Sequence, residues 1–213
     1  MTDTFVYTLS DGTATDTANL VITVTGVNDT PTAQNDVGFI DEGETLTVTN
    51  GANANVSGSY DADEEHSGDL IDTSSSSHQD SDPDASPTLR ISAIQPSGGS
   101  SSSVSSGSSY NSSGTSVTGT YGTLTIGADG SYTYAANDSI SGFDANETLT
   151  DTFTYTLSDE HDATDTATLT ITLLGQDNEA PSATDNTNAV NEDATVTVTN
   201  GTSGVTGLSL IHI

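Results

Sequence analysis

Residues 2–11 read TDTFVYTLSD and residues 150–159 read TDTFTYTLSD, identical at nine of ten positions. In both copies large apolar side chains recur at every second position: Phe5, Tyr7 and Leu9, then Phe153, Tyr155 and Leu157. Period two with threonine between is the pattern of an antiparallel strand with one face buried and one wet. The likeness runs on. Ala14–Gly26 (ATDTANLVITVTG) returns as Ala163–Gly175 (ATDTATLTITLLG), and Thr45–Gly51 (TLTVTNG) as Thr195–Gly201 (TVTVTNG). The copies lie 148 residues apart at first and 150 later, which is the length of an ordinary domain.

The same alternation marks Leu20, Ile22 and Val24, and Leu46 and Val48. It marks Leu124 and Ile126, Tyr132 and Tyr134, and Leu169, Ile171 and Leu173. Gly127-Ala128-Asp129-Gly130 lies between two such runs and predicts a hairpin turn. No stretch carries helical periodicity, so the expected class is all-β. Residues 1–30 are expected to be the C-terminal part of a truncated repeat plus linker, and 31–180 one complete repeat. Residues 181–207 are expected to begin the next. The likeness breaks after Gly207, and residues 208–213 (LSLIHI) are expected to be a non-native tail. Gly26–Pro31 and Gly175–Pro181 follow final strands and read as linkers, each stiffened by its proline. Between Ser97 and Ser116, 12 of 20 residues are Ser and four are Gly, which predicts a solvated insertion without a core of its own.

The 213 residues hold 31 carboxylates, one basic side chain (Arg90) and no Cys, for a formal charge of −30. Such a chain repels itself unless cations neutralise it. Nucleic acid and anionic membrane surfaces need the Lys and Arg it lacks, so neither is an expected partner. No run approaches the roughly 20 apolar residues of a membrane span, so no membrane insertion is expected. Met1 is followed at once by Thr2, Asp3 and Thr4, so export would be directed by sequence outside this chain.

Gly119–Tyr134 (GTYGTLTIGADGSYTY), Asp151–Asp159 (DTFTYTLSD) and Ala167–Gly175 (ATLTITLLG), with the Val27-Asn28-Asp29-Thr30-Pro31 linker, resemble the VCBS repeat family. The resemblance covers nearly all of residues 2–207. It implies tandem cadherin-like or immunoglobulin-like β-sandwich repeats, one complete unit flanked by two partial ones. It also implies a place in large bacterial surface adhesins, outside the cell, exported by type I secretion and stiffened by Ca²⁺. The second linker, Gly175-Gln176-Asp177-Asn178-Glu179-Ala180-Pro181, departs from the family pattern by a swapped Asn and Asp and one added residue.

Calcium takes six to eight oxygens from flexible loops, so loop carboxylates and amides are the candidate ligands. They are Asn28 and Asp29 in the first linker, Asp41 and Glu42 beyond it, Asp61 and Asp63, Asp82 and Asp84, Asp177 and Asn178 in the second linker, and Glu192. On the cadherin-like arrangement Asn28, Asp29, Glu42, Asp61 and Asp63 share one junction, and Asp177, Asn178 and Glu192 serve the next. The plainer reading makes each a solvated turn residue, since Asp and Asn favour turns in any case. Asp80-Ser81-Asp82-Pro83-Asp84 opens like an EF-hand but has Ala85 for the required Gly and Ile91 for the bidentate Glu. His66, His78, His161 and His212 are scattered without Cys, against zinc. No nucleophile elbow or phosphate-binding Gly loop occurs, and no catalytic residue is assigned.

The expected function is a structural spacer or adhesive repeat, held in line by calcium between neighbouring repeats of the same chain. The array would carry contacts to host-cell, biofilm or glycan surfaces. The alternative is a carbohydrate- or surface-binding sandwich module attached to a secreted exoenzyme.

Overall fold

Threonine alternating with aliphatic and aromatic side chains builds long strands, because branched and ring side chains pack well on a pleated, half-buried surface. The computed structural model describes residues 1–55, 64–72, 77–84, 88–138, 140–176, 191–193 and 195. The chain divides into two units, Met1–Asp177 and Asn178–Ile213, and every strand described lies in the first. No helix occurs among the described residues. Asp61, Asp63, Asp177 and Asn178 lie outside them, as do residues 196–213.

Among the described residues twelve strands form three sheets. β1 (Thr2–Ser10) and β2 (Thr15–Thr23) make an antiparallel hairpin by themselves. A four-stranded sheet runs in the order β4 (Thr45–Val48), β10 (Tyr132–Ala136), β9 (Gly122–Ile126), β8 (Thr115–Thr118). A six-stranded sheet runs β5 (Glu65–His66), β3 (Asp36–Asp41), β12 (Thr164–Leu174), β11 (Thr148–Ser158), β6 (Arg90–Pro96), β7 (Ser102–Ser103). Its centre is the β11–β12 hairpin, paired from Thr148↔Leu174 to Ser158↔Thr164. β3 lies parallel to β12, with Asp36 opposite Leu169 and Asp41 opposite Leu174. β6 flanks β11, with a register shift at Thr156/Leu157.

The two larger sheets bury one core between them, a sandwich. Leu46, Val48, Leu124, Ile126, Tyr132 and Tyr134 come from one face; Ile91, Ile94, Phe153, Tyr155, Leu157, Leu169, Ile171 and Leu173 come from the other. Tyr134 and Phe153 meet edge to face, ring centroids 6.1 Å apart. At Gly38 a Cβ would stand 2.7 Å from Ile171 Cδ1 on the neighbouring strand and 2.8 Å from Leu46 Cδ2 of the facing sheet, so the core has no room for a side chain there. The expected turn at residues 127–130 joins β9 to β10, with Gly130 at φ +85°.

The serine-rich stretch differs from its expectation. It contributes β7 and β8, Val104 enters the core, and buried Ser108 accepts the Ala128 N–H on its hydroxyl (3.0 Å). Short hydroxyls can satisfy tightly packed backbone that a larger side chain would push apart, so composition alone misread it.

Candidate functional site: the two acidic poles of the sandwich

Turns between antiparallel strands gather at the ends of a sandwich, so its turn carboxylates collect at two poles. At the upstream pole the linker is fastened before β3 begins. Asn28 Nδ2 donates to Asp159 Oδ2 (2.7 Å), and the Asp29 amide donates to Asp84 Oδ2 (2.9 Å). Thr32 and Ser81 exchange two backbone bonds, at 2.7 and 3.1 Å. The Ala33 amide donates to Asp165 Oδ2 (2.9 Å) and that of Gln34 to Asp80 Oδ1 (2.8 Å). Asp82 Oδ1 accepts the Asp84 amide (2.8 Å), while its buried Oδ2 has no hydrogen-bond partner.

Asp159 also organises the β11–β12 turn, accepting the His161 and Ala163 amides on Oδ1, both at 2.8 Å. The Asn28 amide group foremost, then these backbone donors, hold its carboxyl below the ordinary carboxylate value. It stays charged. Nearby, Arg90 reaches Asp162 Oδ1 at 2.7 Å across exposed surface, a pair worth little to stability.

At the downstream pole Glu42 is buried. It accepts the Ile140 amide on Oε1, and the Gln176 amide lies 3.5 Å from Oε2. Its own amide donates to Leu174 O (2.8 Å), and Asp41 is the last residue of β3. The eleven residues of β12 at ~3.3 Å each put the poles roughly 35 Å apart. This corrects the expected grouping: Glu42 cannot share a junction with Asn28 and Asp29, because β3 carries the chain from one pole towards the other. Glu42 and Asp41 stand with the start of the second linker. Asp82 and Asp84 stand with the first. Glu192 lies in an exposed turn of the second unit.

Beneath the upstream pole lies a row of carboxylates, of which the sequence reading singled out only Asp80, at the head of the acidic run 80–84. Asp36, Asp69, Asp72 and Asp80 are all buried. Asp36 accepts Ser67 Oγ (2.9 Å) and Tyr155 Oη (2.8 Å), and Asp69 Oδ2 accepts the Gly51 amide (2.7 Å). Burial foremost pushes the carboxyls of Asp36 and Asp80 up to about 7, with neighbouring carboxylates adding to the rise. Asp69 is raised for the same first reason. The Tyr132 hydroxyl, fully buried near Asp36 and Asp69, has no hydrogen-bond partner. Asp151 is a different case. It accepts the Thr120 and Tyr121 amides (2.8 and 2.9 Å) and Tyr134 Oη (2.7 Å), tying the β8–β9 turn to β11.

Carboxylate oxygens dominate both poles, the chemistry that suits a hard divalent cation, and the orphaned Asp82 Oδ2 is consistent with such an ion. Among the described residues, no three carboxylate or imidazole side chains converge on one point. Any cation would therefore draw also on backbone carbonyls or on residues outside that set.

The sequence profile of the bacterial cadherin-like domain matches residues 28–175, from the clamped linker asparagine to the glycine that follows β12. The chain belongs to this family. Cadherin-like domains are typically structural or adhesive modules without catalysis, and the sandwich fits a surface adhesin-like repeat. No curated protein matches the chain in sequence. The family match leaves the β1–β2 hairpin outside it.

Proposed function

We propose that this bacterial cadherin-like chain is a spacer segment of a VCBS-type array on a bacterial surface, in which calcium at each pole fixes one sandwich against the next. The observation that carries the reading is the clamp at the upstream pole: Asn28 on Asp159 and Asp29 on Asp84, beside the unpaired Asp82 Oδ2. The linker is thereby held among carboxylates, where a cation would neutralise them and restrict the linker's swing. Glu42, buried against the backbone of the second linker's first residues, would play the corresponding part downstream.

On this reading residues 1–30 close a preceding repeat, 31–180 form one repeat, 181–207 open the next, and 208–213 are foreign. Partners are neighbouring repeats, and the array as a whole presents adhesive contacts to cell, biofilm or glycan surfaces outside the cell. Large aromatic side chains of the sandwich (Tyr132, Tyr134, Phe153, Tyr155) are spent on the core, which favours a spacer over a sugar-stacking platform. Calorimetric titration of calcium into the full chain tests the reading. Uptake is expected, weakened separately by the Asn28→Ala/Asp29→Ala double variant and by Glu42→Gln. No heat at millimolar calcium would overturn it.

A further inference from the structure

The charge of this chain is unevenly spread. Ile91–Ala128 is a run of 38 residues without an Asp, Glu, Lys, Arg or His, in a chain that carries 31 carboxylates. That run supplies β6, β7, β8 and β9, the last two strands of the six-stranded sheet and the last two of the four-stranded one. The two ends lie together, since Thr115 Oγ1 of β8 donates to the Ser103 carbonyl of β7 (3.1 Å). The strands on one side of the sandwich are therefore free of charge, whereas Asp36, Asp41, Glu42, Glu44 and Glu65 lie on or beside β3, β4 and β5 at the other.

On the neutral side β8 is an open edge. Among the described residues it pairs with β9 alone. The Gly119 amide donates to Gly122 O (2.8 Å), which makes 119 and 122 a hydrogen-bonded pair. Bonded and unbonded pairs alternate along an antiparallel ladder, so Thr115 and Val117 bond to β9. Ser116 and Thr118 then turn their N–H and C=O groups outward. Both residues are exposed, and no charge, proline or bulge guards this edge against another strand.

We infer that β8 pairs antiparallel with β8 of a second copy of this chain about a two-fold axis, joining two four-stranded sheets into one of eight strands. Exposed residues must stand opposite exposed residues, which sets Ser116 against Thr118 of the second copy and places the two Val117 residues on the axis. Each Ser116–Thr118 pair exchanges two main-chain bonds, so every outward backbone group of β8 gains a partner. Charge selects the occupant. A cationic partner would gain nothing from strands without carboxylates, whereas two chains of −30 can meet here with no carboxylate on the joined strands or on the β9 strands behind them. A contact of this symmetry closes as a dimer. It runs the copies in opposite directions and, on the array reading above, would join arrays approaching from opposed surfaces. The contact itself rests on no array and no cation, so its failure and that of the calcium reading are separate results.

Sedimentation of the full chain in chelator, across a concentration series at low and high salt, is the test. A dimer is expected, tighter at high salt because screening removes the long-range repulsion between the two chains. Ser116→Asp/Thr118→Asp sets two like-charge pairs across the joint and should weaken the dimer by about tenfold or more, with strand content by circular dichroism unchanged. Ser116→Lys/Thr118→Lys should weaken it likewise, and the two variants mixed one to one should restore a dimer. A chain that stays monomeric at every concentration and salt overturns the inference. So does a dimer that Ser116→Asp/Thr118→Asp leaves intact, or a mixture of the two variants that remains monomeric.

Discussion

Raising the pH should weaken this sandwich, and Asp36→Asn should remove much of the effect. Burial lifts the Asp36 carboxyl from the ordinary 3.8 to about 7. Between those values the folded chain keeps a proton that the unfolded chain has released. Stability is therefore greatest at the acidic end of the window and falls as pH rises through it. Each pKa unit corresponds to about 1.4 kcal/mol, so passing from about pH 5 to about pH 8 should cost roughly 3 kcal/mol through Asp36. Asp80, lifted to about 7 as well, adds to the slope, though the two are not independent because the charge on Asp36 raises Asp80. The Asp36→Asn amide would keep an acceptor for Tyr155 Oη and a polar partner for Ser67 while carrying no charge to bury. Urea unfolding in chelator at both pH values is the assay, read at constant m-value. The variant's stability relative to the parent should rise by about 3 kcal/mol between pH 5 and pH 8. A parent as stable at pH 8 as at pH 5, or a variant that gains nothing on the parent across that window, would refute the reasoning.

Asp151→Ala should be among the most damaging single changes. It strands the Thr120 and Tyr121 amides and the Tyr134 hydroxyl, and the loss by thermal or urea unfolding should reach about 3 kcal/mol or more. Tyr132→Phe should be neutral or stabilising by up to about 1 kcal/mol, because the hydroxyl it deletes is buried without a partner. A marked loss there would mean that this hydroxyl holds a bridging water or ion.

Much of the sandwich was legible in the sequence because period two survives wherever one strand face is buried. Phe153, Tyr155 and Leu157 point inward as the alternation requires. The same rule, pressed further, would have found the inward carboxylates. Asp151 lies two residues before Phe153, and Asp36 two before Gly38 and four before Ile40, all on the buried face. Charge suggested solvent, and the pattern was the better guide. The poles were less legible, since residues adjacent in a list of turns can lie at opposite ends of a strand. Glu42 went astray for that reason. The serine-rich stretch was misread because composition records how little apolar surface it holds and not that Val104 enters the core while Ser108 holds the Ala128 amide.

The central claim is that cations at the poles hold consecutive units in line, and small-angle scattering of the full chain, extrapolated to infinite dilution, measures it directly. Millimolar calcium should lengthen the maximum dimension and sharpen the distance distribution relative to chelator, while strand content by circular dichroism stays the same. Superimposable curves with and without calcium would contradict the account.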